Sequence, residues 1–184
     1  MNFLKSTVLL VFLVCQLSVS LMADNKKAAK IDSEVNAVIA GLTSENAAAK
    51  NLIAGSKGIL VFPSIIKAGL VVGGQYGEGA LRVNGATQGY YSTVAASYGL
   101  QIGAQKFGYV MVFMNEDAMG YLDSADGWEV GFGPSVVVVD KGMANSLTTA
   151  TANEDVYVFF FDQQGLMAGL GIQGTKITKL DLSK

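Results

Sequence analysis

The chain has 184 residues, is 51% hydrophobic and 15% charged, and carries a net charge of −2 with no histidine and one cysteine. That size suits one domain with a sizeable core, and the composition is globular and rather apolar. The charge balance gives no global attraction to nucleic acid, and without histidine the chain lacks most of the usual catalytic and metal-ligating groups.

Met1 to Ala23 reads MNFLKSTVLLVFLVCQLSVSLMA. Lys5 supplies a positive start, Val8 to Val14 an apolar core, and Ser18, Ser20 and Ala23 small residues near a cleavage point. The pattern predicts a secretory signal peptide over residues 1–23, cut near Ala23. The protein is then exported and periplasmic or associated with the cell envelope. A retained anchor is the alternative, but the apolar stretch is marginal for a span of about 20 residues. Val14, which is not small, argues against lipidation of Cys15. After cleavage no cysteine remains, so stability must come from packing and not from disulfides.

Residues 24–56 read as a helical segment. Ile31, Val35, Val38 and Leu42 recur at helical spacing. Gly41 is a plausible stop, and Thr43 or Ser44 can cap a second helix with Glu45 in its first turn. That helix runs through AAAKNLIA to Gly55. The stripe either covers the core of the β-rich region after it or docks on a membrane or partner. It has no tryptophan or phenylalanine to anchor in an interface, which favours the first reading.

Residues 57–184 form a glycine-rich, β-rich region. Strands are predicted at Ile59–Phe62 (ended by Pro63), Ala68–Val72, Gly79–Val83, Tyr98–Ala104 and Tyr109–Met114. Further strands are predicted at Val136–Val139, Val156–Phe161, Leu166–Ile172 and Lys176–Leu180. Asn84-Gly85 marks a hairpin, Asp126-Gly127 a turn, and Asn115 caps a short helix from Glu116 to Tyr121 or Leu122. VVVV and VFFF lack alternation, which predicts strands buried on both faces and argues against an outer-membrane barrel. Gly74, Gly99, Gly103 and Gly171 are expected in or beside strands, where a second backbone comes close or the strand bends. The fold class is α+β: N-terminal helices packed on a curled, barrel-like, mainly antiparallel sheet.

Little in this pattern carries reaction chemistry. GLGIQG at Gly169–Gly174 fits a dinucleotide motif by letter, but no helix follows and no acidic residue lies about 20 positions on. No nucleotide and no other cofactor is expected. The acidic pairs Glu116-Asp117 and Glu154-Asp155, and Asp123 with Asp126, lack calcium-loop spacing, so no metal is expected. No convergent catalytic set is visible, and the chain reads as a non-enzyme. Tyr90, Tyr91, Tyr98, Tyr109, Tyr121 and Trp128 line a ligand groove, face a membrane interface or, as such residues more often do, complete the core with polar tips at its rim. The lysines group locally: Lys26, Lys27 and Lys30, then Lys50, Lys57 and Lys67, then Lys176 and Lys179. Gathered on one surface, they could hold anionic headgroups at about 1 kcal/mol each.

Four segments in order resemble one family: KGILVFPSIIKAGLVVGGQYGEGALRV (57–83), GYYSTVAASYGLQIGAQ (89–105), WEVGFGPSVVVVD (128–140) and VFFFDQQGLMAGLGIQGTKITKL (158–180). With the helical lead-in, the chain is similar to SYLF domains over residues 30 to 184. The resemblance implies a lipid-binding module. Eukaryotic members look like phosphoinositide-binding proteins, and some associate with actin at endocytic membranes. The same resemblance makes Lys26, Lys27 and Lys30, near the N-terminal helix, the candidate lipid contacts. The implied partners are anionic membrane lipids, with neither nucleic acid nor nucleotide. Actin is not expected in the compartment of an exported protein. The alternative is a structural or protein-interaction domain of the envelope without lipid affinity.

Overall fold

The computed structural model describes residues 2–69, 72–98, 103–139, 143, 152–165, 172 and 174–182, with residues 2–21, 97, 98 and 165 as backbone. Two helices come first, α1 (Asn2–Glu45) and α2 (Ala47–Gly55). The strands β1 (Gly58–Gly69), β2 (Val72–Val83), β3 (Ala86–Tyr98) and β4 (Gly103–Phe113) come next, then α3 (Glu116–Gly120) and a 3-10 turn over Tyr121–Asp123. The described elements end with β5 (Trp128–Glu129), β6 (Val136–Val138), β7 (Val156–Gly165) and β8 (Lys176–Leu180). They build one eight-stranded sheet in the order β5-β8-β3-β2-β1-β4-β7-β6, curled into a half-barrel. Every pairing is antiparallel except β6 with β7. The expected α+β architecture is the one observed.

The curl creates two apolar layers. The inner face carries Leu60, Phe62, Ile65, Phe107, Tyr109, Met111 and Trp128. Their rings form a chain of tilted and edge-on contacts, such as Phe62 with Tyr109 at 5.0 Å and Tyr109 with Phe160 at 5.8 Å. Polar tips are satisfied: the Tyr109 hydroxyl bonds to the Thr93 hydroxyl at 2.8 Å, and the Trp128 indole donates to the Phe132 carbonyl at 2.9 Å. Burial pushes the Tyr109 pKa well above its ordinary value. The outer face packs Val61, Ala80, Val110, Val112 and Phe159 against Ala28, Ile31 and Val35 of α1 and Leu52 of α2. The Ile31–Val35 stripe is therefore core, with Val38 and Leu42 half-buried beside it.

Several local expectations need correction. Gly41 does not end the first helix, and neither Thr43 nor Ser44 caps the second. Their hydroxyls bond back to the carbonyls of Ile39 and Gly41, both at 2.7 Å, inside a continuous α1. Asn46 caps α2 instead, accepting the Ala49 N–H at 2.9 Å, and Glu45 is the last residue of α1. Of the strands expected at Ala68–Val72 and Tyr98–Ala104, Ala68 and Gly69 end β1, Val72 opens β2, Tyr98 ends β3 and Gly103 opens β4, while residues 70–71 and 99–102 lie outside the described residues. Val136–Val138 is an edge strand and only half covered, so VVVV is not buried on both faces. Val156 to Phe159 are buried as expected, while Phe160 and Phe161 are half-buried. The segment 166–171, with Gly171, and Gly99 lie outside the described residues.

Pro63 does not end its strand. β1 runs through it, and the register slips between Val61 and Ser64 against β2 and between Phe62 and Ile65 against β4. Proline lacks a ladder donor, and a bulge is where a sheet tolerates that. The bulge has two consequences. It exchanges the faces: Val61 points to the helices, but beyond the slip Ile65 points inward and Ile66 outward. It also drives the β1 backbone against its neighbours. A Cβ on Gly79 would sit 2.0 Å from the Val61 carbonyl oxygen, and one on Gly108 2.9 Å from that of Phe62. Close approach thus explains Gly79 and Gly108. Gly74, expected in that role, has its nearest obstacle at 3.7 Å and room for a side chain. Gly103 opens β4 with φ 150, a backbone that side chains rarely adopt.

The short-range turn signals hold. Asn84 and Gly85 have φ 51 and 80, as a two-residue hairpin of the favoured twist requires. Gly127 has φ 80 in the Asp126-Gly127 turn. Asn115 caps α3, accepting the Ala118 N–H at 2.8 Å.

Candidate functional site

Lys26, Lys27 and Lys30 lie on α1 where it reaches the edge of the outer layer. Lys26 and Lys30 are exposed, and Lys27 is half-buried. Lys27 is already engaged: its ammonium donates to Glu78 on β2 at 2.7 Å. Lys30 reaches Glu34 one turn on at 3.8 Å, an exposed pair of little energetic weight. Lys27 and Lys30 face a cleft of about 500 Å³, and Ile66, Tyr76 and Lys106 line its other side. Lys26 is not among the lining residues.

Sequence reasoning singles out neither Lys106 nor Tyr76. β4 places Lys106 opposite Ile66, and Ile66 is opposite Tyr76 on β2. The Tyr76 hydroxyl donates to Glu78. Burial and that carboxylate hold the Tyr76 pKa up at about 12, so the phenol stays protonated. Burial alone would raise the Glu78 pKa, but the bonds from Lys27 and Tyr76 outweigh it and hold the carboxyl below its ordinary 4.5. The cleft is thus a cation-rich notch with an apolar and aromatic floor. Three lysines meet two glutamates around it, leaving one excess positive charge.

The Lys27–Glu78 contact should make stability acid-sensitive. A carboxyl with a depressed native pKa stabilises the fold above its unfolded value and loses that contribution as pH falls through the native one. Melting temperature should therefore drop as pH falls below about 4.5, the ordinary glutamate value. Asp155 adds in the same direction. It accepts the Ser135 N–H at 2.8 Å and the Asn115 amide at 2.7 Å, and these bonds hold its pKa below the ordinary 3.8. Thermal melts across this range for wild type and Glu78→Gln check the point. Identical pH profiles would show that Glu78 contributes nothing.

A second cleft, of about 470 Å³, lies between α1, α2 and the β2–β3 turn and includes Ile39, Ile53, Lys57 and Arg82. Arg82 is the single arginine of the chain, and it is buried. Its guanidinium is 3.2 Å from the Asp32 carboxylate and donates to Asn36 Oδ1 at 2.9 Å and to the Thr87 hydroxyl. Asp32 also accepts from Thr87 at 2.8 Å and from Tyr90 at 2.9 Å. This network clamps α1 to the sheet. Its charge is met internally, which leaves Lys57 as the free cation among the described residues of that cleft.

The remaining lysines do not converge. Lys50 is exposed on α2, Lys67 is half-buried on the inner side of β1, and Lys179 is 3.2 Å from Asp123. Lys176 stands on β8.

Residues 94–181 match the family model described as Ysc84, Las17-binding protein actin regulator. The match covers the end of β3 and all of β4 to β8. The cleft residues of α1 and β2 precede it. No curated protein matches the chain. The glycine-rich half-barrel and this match agree with the resemblance carried by the sequence motifs: over residues 94–181 the chain is similar to the Ysc84 family, that of SYLF domains.

Proposed function

We propose that the protein is a non-enzymatic lipid-binding domain that holds anionic or phosphoinositide-like headgroups at an envelope membrane. The family match over residues 94–181 supports a domain of the lipid- or actin-binding type. In this reading residues 1–23 direct export, and lipid, not actin, is the partner. The observation that carries it is the convergence of Lys27 and Lys30 from α1 with Lys106 from β4 on one cleft floored by Ile66 and Tyr76. Cations from two separate elements then meet an anionic headgroup beside an apolar surface. With the protein at net −2, the attraction is local. About 1 kcal/mol per lysine gives weak, reversible binding that fades as salt shortens the screening length.

The test is co-sedimentation with anionic and neutral vesicles at low and high salt. Wild type should bind anionic vesicles at low salt and release at high salt. Changing Lys26, Lys27 and Lys30 together to glutamine should weaken binding about tenfold or more. Equal binding of the two proteins would remove these lysines as the contact. No binding by wild type under any condition would put the structural or protein-interaction reading first.

A further inference from the structure

α1 covers only part of the outer face. Its contacts run from Lys27 at Glu78 to Asp32 and Asn36 at Arg82. Beyond Glu78 none of the described side chains of α1 or α2 covers the outer face. The register there sets one straight row across five strands: Lys106 on β4, Ile66 on β1, Tyr76 on β2, Val94 on β3 and Lys176 on β8. The centre of the row is apolar and uncovered: Ile66 is 61% exposed, Tyr76 50% and Val94 46%. Val72, on the same face at the start of β2, is 67% exposed. Half of the eight large apolar side chains exposed among the described residues thus stand on this one patch. The neighbouring row, Ala104, Ala68, Gly74 and Ala96, is also exposed and consists of small residues. It keeps the face flat and lets the three larger side chains stand proud.

We propose that this uncovered sheet face is the surface that lies on an anionic bilayer. Ile66, Tyr76 and Val94 enter the headgroup boundary, while Lys106 and Lys176 contact lipid phosphates on either side. The inference rests on the lipid-binding reading and gives it a surface and an orientation. A contiguous apolar patch on a soluble surface marks an interaction site. A protonated tyrosine between aliphatic neighbours suits a boundary that is wet on one side and apolar on the other. Cations at both ends match a negative plane. Glu129, opposite Lys176 on the edge strand, is the carboxylate at the margin of the row. The headgroup cleft opens at the same rows, since Ile66, Tyr76 and Lys106 belong to both. A second copy of the chain fits less well. Stacked face to face about a two-fold axis, either along the row or across it, the lysines of one copy meet lysines of the other.

The test uses the full chain with vesicles of phosphatidylcholine alone and with an added anionic lipid. Tyr76→Trp places a reporter at the centre of the row, while the native Trp128 is buried and provides a constant background. On anionic vesicles the introduced indole should shift its emission to the blue and be quenched by lipids brominated in the acyl chains. Ile66→Ser with Val94→Ser, both at exposed positions, should keep the wild-type melting temperature and lose vesicle binding about tenfold. If wild type binds but the indole neither shifts nor is quenched, and the double variant binds normally, the proposed face is wrong while the lipid reading stands. If wild type binds no vesicle, both fall. If wild type sediments as a dimer and the double variant as a monomer, the face is a self-interface and the proposal is overturned.

Discussion

Gly79→Ala should destabilise the protein by about 3 kcal/mol or more, the upper end for overpacking. The reason lies in the neighbouring strand. Pro63 forces β1 to bulge, and the bulged backbone carries the Val61 carbonyl oxygen to 2.0 Å from the site of a Cβ on Gly79. The Phe62 ring stands at 2.8 Å on the same site. Neither neighbour is the loose end of a flexible side chain, so relief requires moving buried backbone in the middle of the sheet. Gly74→Ala in the same strand is the control. Its Cβ meets nothing closer than 3.7 Å, and its φ is not positive. That change should be neutral or stabilise by up to about 1 kcal/mol by restricting the unfolded chain. Urea unfolding of the three proteins decides the matter. Equal midpoints for Gly79→Ala and Gly74→Ala would show that the bulge is not the reason for glycine here.

Arg82→Ala should cost about 3 kcal/mol, the lower end for breaking a buried ion pair, because Asp32 keeps partial solvent access. The loss is larger than one contact suggests. Without the guanidinium, Asp32 holds its charge on two hydroxyl donors alone, and Asn36 loses its partner. Burial and the Asp32 carboxylate hold the Tyr90 pKa up at about 12, so the phenol stays protonated and keeps donating to Asp32. Arg82→Lys should rescue little, since one ammonium cannot reproduce the fork that meets Asp32, Asn36 and Thr87 together. Amide exchange should show faster opening of α1 around Asp32 and Asn36 in both variants, with the inner strands protected longer. Unchanged exchange in α1 would show that its apolar stripe suffices to hold it.

Much of this architecture is legible in the residues because local physics dominates locally. Asn84-Gly85 demands a particular hairpin, Asn115 a helix start, and Ile31 with Val35 a buried stripe. The failures share a cause. Thr43 and Ser44 are as good at bonding back into a helix as at starting one, so only the path of the chain decides. Pro63 reads as a stop unless the bulge that accommodates it is known. The candidate surface depends on that bulge. Lys106 lies far from Ile66 and Tyr76 in sequence, and the slip at Pro63 decides which face Ile66 occupies. Lys26, Lys27 and Lys30 are visible as a cluster in the sequence, but the commitment of Lys27 to Glu78 is not. Arg82 offers a quieter signal: a single arginine inside a glycine-rich, apolar strand needs a buried partner.

The sheet ends on very short strands, two residues of β5 on one side and three of β6 on the other. Behind β6 stands β7, of 10 residues, and behind β5 come β8, of 5, and then β3, of 13. A long strand with an unpaired edge is a template for another chain, and short outer strands blunt it. On the β3 side that protection rests on β8, which covers Tyr90 to Val94 and comes last of all the strands. A chain that loses β8 bares these ladder groups of β3. Misassembly of this domain is thus expected to begin at its C-terminal strand, with β3 of one molecule recruiting β3 of the next, while the helices and the first four strands are still intact.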